Sequence, residues 1–207
     1  MNNPTQPPPS SRTGLRLAGI TGLLAAVLVG VADIVLLYTP AGGYGSGSYD
    51  YLGMISAQRL QIGHLLGVLA LPFEIAGLWQ VSQAIAAGAR KTALAFLLVG
   101  AYSVVMGVVY HAALAPIGAL VQARDAVPQA AETLTALIPQ VAGFSRSLAS
   151  LMNYGVVLIS ILFVWAVIFR PTLYPRWMAV FNPLVIFIAV ALLGGALPEV
   201  GGYILPA

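Results

Sequence analysis

The chain has no cysteine at all, and only nine basic and six acidic side chains in 207 residues, 7% of its length. Without thiols there is no disulfide framework, no thiolate-bound metal or iron–sulfur cluster, and no cysteine nucleophile. A soluble domain carries about 25% charged residues, and with so few this chain could not cover a water-facing surface. A soluble enzyme and a disordered chain are therefore excluded, and the formal net charge of +3 is too small and scattered for nucleic acid. What is present is apolar: 59% hydrophobic residues and a mean hydropathy of +0.92. The 22 glycines and 14 prolines fit this class, since both are commoner in membrane helices than in soluble ones.

A membrane crossing needs roughly 20 apolar residues. Five stretches qualify, near Leu17–Tyr38, Leu60–Ile85, Thr92–Ala115, Leu148–Phe169 and Met178–Leu197. The expected fold is all-α, a single bundle of five transmembrane helices over residues 15–207, preceded by a flexible Pro-rich tail over 1–14. The first stretch has the basic start of a signal peptide, but its apolar run continues past Gly30-Val31-Ala32 to Tyr38, so it reads as a retained helix. Arg12, Arg16, Arg90, Lys91, Arg170 and Arg176 fall on one side of these spans, against Arg59, Arg124 and Arg146 on the other. The positive-inside rule then places the N-terminus in the cytoplasm, in a multi-pass protein of a bacterial-type cytoplasmic membrane. The connections on the far side are longer: Thr39–Arg59, rich in Gly, Ser and Tyr, and Pro116–Ser147, with its Pro-led pieces Ile117–Arg124 and Pro128–Ile138. They read either as plain loops or as a lid over a site opening outward.

Ionisable groups at membrane depth are costly, and each is a candidate functional residue. Counted at about 1.5 Å per residue, Asp33, His64, His111 and Asn153 share the outer third of the bundle, with Arg146 and Glu199 just beyond the spans. Small residues step toward this layer along three helices: Gly22, Ala26 and Gly30 toward Asp33; Gly63 and Gly67 beside His64; Gly100 and Gly107 toward His111. Such stripes permit close helix packing, which would turn the polar groups inward. Glu74 stands apart near the midplane, just after Pro72, which frees a backbone carbonyl near residue 68. A carboxyl group there is expected to be desolvated and held as the neutral acid. Interface residues Arg59 and Arg146 have a plainer reading as anchors. Asn153 and Asn182 have one as interhelical hydrogen-bond partners, and Tyr38, Tyr174 and Trp177 as membrane-belt residues.

Several chemistries suit such a layer. Asp33, His64 and His111 could form a facial triad for zinc or iron, although no local ligand spacing supports it, and no cofactor or metal is expected. Ser150 lies at the right depth for a hydrolase but lacks a nucleophile-elbow sequence. A phosphate site would need converging basic residues, of which only Arg59 and Arg146 are near. The remaining chemistry is acid–base catalysis on an isoprenoid or other lipid-like substrate. A desolvated acid, Glu74 or Asp33, protonates an alkene, and a histidine, His64 or His111, removes a proton. Phe73, Trp79, Tyr102, Tyr110, Tyr154 and Phe181, with Asn153, would form the substrate wall, the aromatic faces steadying a developing cation.

In size, lack of cysteine and isolated intramembrane acids, the chain resembles the small integral membrane terpene cyclases of bacterial indole-terpenoid and fungal meroterpenoid pathways. The resemblance implies a compact helical bundle and an acid-initiated cyclisation of a prenyl chain. Five helices depart from the fungal members. The early Gly-rich helix bearing Asp33, and Asn182-Pro183 near the end, also resemble polytopic bacterial membrane families of uncharacterised function. The competing reading is a carrier of lipid or small molecules, or a subunit of a proton-coupled transporter. No internal repeat supports that reading, and five helices would call for an oligomer. A third is a structural partner in a larger membrane complex.

Overall fold

A computed structural model describes residues 9–39 and 49–196. Among them there is no strand. Five helices follow in order: α1 (Pro9–Leu37), α2 (Ala57–Ala86), α3 (Arg90–Ala126), α4 (Ala131–Phe169) and α5 (Pro183–Ala196). Short 3-10 turns at Asp50–Met54, Pro128–Ala130 and Arg176–Phe181 join them. α1 starts at Pro9, so residues 9–14, expected in the tail, are helical. Four helices, α1 to α4, are long and apolar enough to cross a membrane. The fifth expected span is divided: Arg176–Phe181 is a 3-10 turn, the chain turns at Asn182, and α5 has 14 described residues. That division has a local cause. Asn182 caps α5 by accepting from Val185 N (3.1 Å), Pro183 has no N–H to satisfy, and Leu184 N donates to Ser160 Oγ on α4 (2.9 Å). Asn182 is thus a helix cap, and Ser160 supplies the interhelical bond.

α1 packs on α2, α2 on α3 and α3 on α4, while α1 and α4 scarcely touch each other. The four long helices therefore form an open row. Where α1 meets α2 the backbones are nearly in contact, and a Cβ on Gly22 would stand 2.7 Å from Gly77 Cα. The buried face of α1 is Ala18, Ala25, Ala32 and Leu36. Ala26 and Gly30 are exposed, and a Cβ on Gly30 would meet nothing. The expected stripe Gly22–Ala26–Gly30 is therefore a packing contact only at Gly22.

α3 and α4 hold 37 and 39 residues, about 55 Å or more each, against a hydrocarbon core of about 30 Å. The segment expected to be a long connection, Pro116–Ser147, is mostly the continuation of both helices. Their projecting ends hold the turn Asp50–Met54. An apolar core forms there from Leu36, Leu52, Ile55, Leu60, Leu114 and Ile117, among others. Arg124 pairs with Asp50 (2.6 Å) and Asp125 (2.8 Å), and Gln122 Nε2 donates to Ile55 O (2.6 Å). This is the capped end of the bundle. A second apolar core, with Ile85, Phe96, Phe163 and Val167, fills the opposite end. Burial there pushes the Tyr174 phenol up.

Candidate functional site

Between the two cores lies a cavity of about 290 Å³ to which all four long helices contribute. α1 supplies Asp33, α2 Glu74, α3 Tyr110 and His111, and α4 Met152 and Val156. α1 and α4 both line it while scarcely touching each other. The capped end, where the sequence suggested a mouth, is filled by apolar side chains instead.

Glycines set the geometry. A Cβ on Gly67 would overlap the His111 ring, so that ring lies directly against the α2 backbone. There His111 Nε2 reaches Gly63 O at 3.2 Å, and Nδ1 stands 3.1 Å from Asp33 Oδ1. A carbonyl only accepts, so Nε2 carries a proton. The histidine side chain is 11% exposed and the aspartate 37%, which leaves part of the carboxyl group open to the cavity. Glu74 makes no hydrogen bond or ion pair among the described residues. Opposite, a Cβ on Gly107 would stand 2.9 Å from Met152 Sδ, and one on Gly155 would overlap Ser103, which brings α4 tight against α3.

His64 is elsewhere. It does not line the cavity, and its Nδ1 donates to Ala112 O (3.2 Å). Pro116, four residues beyond Ala112 and inside α3, has no N–H to offer that carbonyl. His64 fills the vacancy, and with His111 on Gly63 O the two histidines cross-link α2 and α3 reciprocally. The signal was in the sequence, as a proline four residues after Ala112. It was unreadable while α3 was taken to end at Ala115.

The structure brings Asp33, Glu74, Tyr110 and His111 together and separates the rest. Phe73, Trp79, Tyr102, Tyr154 and Phe181 are on the outer surface of the bundle, Tyr154 72% exposed. Asn153 is exposed beside the cavity, Arg146 above it, and Glu199 lies outside the described residues. Tyr110 is the one expected aromatic that lines the cavity. Arg59 donates to the carbonyls of Ile34, Val35 and Tyr38, closing the end of α1. Ser150 Oγ donates to Arg146 O. No three His, Asp or Glu side chains among the described residues converge on a metal-sized site. The wall residues Ser103, Met152, Val156 and Ile159 carried no sequence signal, being ordinary members of apolar helices.

The sequence matches the "Family of unknown function (DUF6796)" over residues 2–203, nearly its whole length. The chain belongs to this family. No curated protein and no solved structure matches it. DUF6796 membership brings no activity with it, so the chemistry is to be read from the cavity.

Proposed function

We propose that the cavity carries out acid–base chemistry on an isoprenoid-like alkene that enters from the bilayer through the α1–α4 cleft. The observation that carries this reading is one cavity, lined by all four long helices, holding Glu74 and the Asp33–His111 pair. Glu74, as the neutral acid, gives its proton to one alkene carbon. The Asp33 carboxylate, beside the His111 ring, takes a proton from the neighbouring allylic carbon, and the double bond moves. The proton then returns from Asp33 to Glu74 across the cavity. Isomerisation suits this site better than cyclisation, because a long-lived carbocation needs several aromatic faces and, among the described residues, only Tyr110 lines the cavity. The basic residues of the opposite end (Arg90, Lys91, Arg170, Arg176) outnumber those of the capped end (Arg59, Arg124, Arg146). On that count we place the capped end outside a bacterial cytoplasmic membrane and the N-terminus inside, with α5 as a fifth membrane-associated segment.

The test is deuterium uptake. Purified protein in D2O is incubated with a panel of isoprenoid alkenes, and carbon-bound label is read by mass spectrometry. Label is expected with the wild type and is lost in Glu74→Gln and Asp33→Asn, both folded. No label from any alkene, or undiminished label in both variants, refutes the reading. A second reading has its own observation: apolar cores close both ends of the cavity, as in an occluded carrier site. Substrate-driven proton movement into vesicles without chemical change would favour it.

A further inference from the structure

Apolar cores close both ends of the cavity, yet groups that give and take protons must exchange them with water. The capped end holds hydroxyls that an apolar plug does not need. Tyr51 is buried in its core, and Tyr49 and Tyr110 pack against that core. Tyr110 belongs to both places, because it also lines the cavity. Asp33 and Tyr49 both act electrostatically on the Tyr110 phenol, and Tyr110 and Tyr49 act on that of Tyr51. The three phenols therefore connect the Asp33 carboxyl to the turn Asp50–Met54. Their outer edge meets water: Tyr49 is partly exposed, and Asp50, Arg124 and Asp125 hold their ion pairs at the surface.

Ser145 adds a fourth hydroxyl. The residue is 1% exposed, and its Oγ has no hydrogen-bond partner among the described residues. Ser103, Ser147, Ser150 and Ser160 each donate to a carbonyl one turn back on their own helix, and Ser145 does not. The contacts of Gly107 with Met152 and of Gly155 with Ser103 set the antiparallel register of α3 and α4. In that register Ser145 is level with Leu114, one turn on the capped side of Tyr110. It lies two turns from Met152 on the same face of α4, where the cavity gives way to the capped core. A buried hydroxyl left unpaired is costly, and a bridging water is its ordinary partner.

We propose that the capped end is a proton path, in which the hydroxyls of Tyr51, Tyr110 and Ser145, bridged by water, carry protons between the surface at Tyr49 and Asp50 and the Asp33–His111 pair. Each hydroxyl takes a proton on its oxygen and passes on its own, so no charge stays in the apolar core. Neutral relays suit that core, because an ionised one would need a counter-ion at membrane depth. The opposite core offers one phenol among the described residues, Tyr174, packed on the Phe163 ring. The path rests on the cavity acting as an acid–base site, as the proposed function requires.

The experiment follows hydrogen exchange at Asp33 in the full chain, held in lipid nanodiscs without substrate. Attenuated-reflection infrared spectra are recorded as H2O is switched to D2O, at a pH where the band that Asp33→Asn removes is that of the carboxylic acid. Tyr110→Phe and Ser145→Ala are each expected to slow the shift of that band by roughly tenfold or more. Tyr174→Phe, at the opposite end, keeps the wild-type rate. A variant that merely loosens the cap admits water and speeds exchange, so slowing reports a lost relay, and thermal unfolding checks that each variant is folded. Unchanged or faster exchange in folded Tyr110→Phe overturns the path. Slowing in Tyr174→Phe instead puts the route at the opposite end and overturns it as well. Because the readout needs no substrate, slowed exchange without deuterium uptake by any alkene overturns the isomerase alone. Uptake by an alkene with unslowed exchange in Tyr110→Phe overturns the path alone.

Discussion

Replacing His64 tests the link between a helix proline and a histidine on the neighbouring helix. His64 Nδ1 donates to Ala112 O at 3.2 Å, and that carbonyl lacks its usual partner because residue 116 is proline. His64→Leu, which keeps most of the volume, leaves the carbonyl unsatisfied inside the bundle. In water-free surroundings the full desolvation cost of such a group is several kcal/mol. Measured interhelical hydrogen bonds in membranes average only about 0.6 kcal/mol, with a maximum near 1.7, because the reference state also finds partners. A freed carbonyl pinned by a proline belongs at the upper end, so the expected loss is about 1–1.5 kcal/mol. Pro116→Ala restores an N–H four residues after Ala112, and in that background His64→Leu should cost about 0.5 kcal/mol or less. Equilibrium unfolding of the four proteins by SDS titration gives the coupling directly. Additivity within about 0.3–0.5 kcal/mol, the spread seen for independent sites, would refute the link.

Two further outcomes follow from the packing. Gly22→Ala puts a methyl group 2.7 Å from Gly77 Cα, must separate α1 from α2, and should cost about 1–3 kcal/mol in SDS unfolding. Gly30→Ala, with nothing near its Cβ, should be neutral or gain up to about 1 kcal/mol; equal losses at both positions would contradict the open cleft. At the cap, burial first, and then the charges of Tyr110 and Tyr49, push the Tyr51 phenol above its ordinary value near 10. Its neutral form is favoured in the folded state, so this contribution is complete below pH 10 and declines as the pH rises toward the folded value. Stability should therefore fall between pH 10 and 12, less steeply in Tyr51→Phe, as read by thermal unfolding at each pH.

The helical class and its membrane character follow from composition, since too few charges and long apolar runs admit no other solvent. Four of the expected spans are four of the long helices. Their ends were less legible. Pro116 reads as a stop in isolation, yet α3 runs through it because His64 on α2 satisfies the carbonyl it frees. The fifth span divides at Asn182, where cap chemistry outweighs the continuous hydropathy. Among candidate site residues, the ionisable ones were legible by their rarity. The aromatic wall was not, since in an apolar helix lipid-facing and cavity-facing aromatics carry the same letters.

By itself, then, the sequence determined that the chain is a helical membrane-type protein and that Asp33, Glu74 and His111 are the groups whose cost needs a reason. Depth along each helix follows from a rise of about 1.5 Å per residue, so it could be counted from the sequence. Rotation about each helix and the order of helices in the row could not, because they depend on which backbones approach closest. Gly22 on Gly77, Gly67 under the His111 ring and Gly155 on Ser103 make those contacts. Tertiary structure alone decided that Asp33 meets His111 rather than His64, that the capped end is filled, and that one cavity gathers residues of all four long helices.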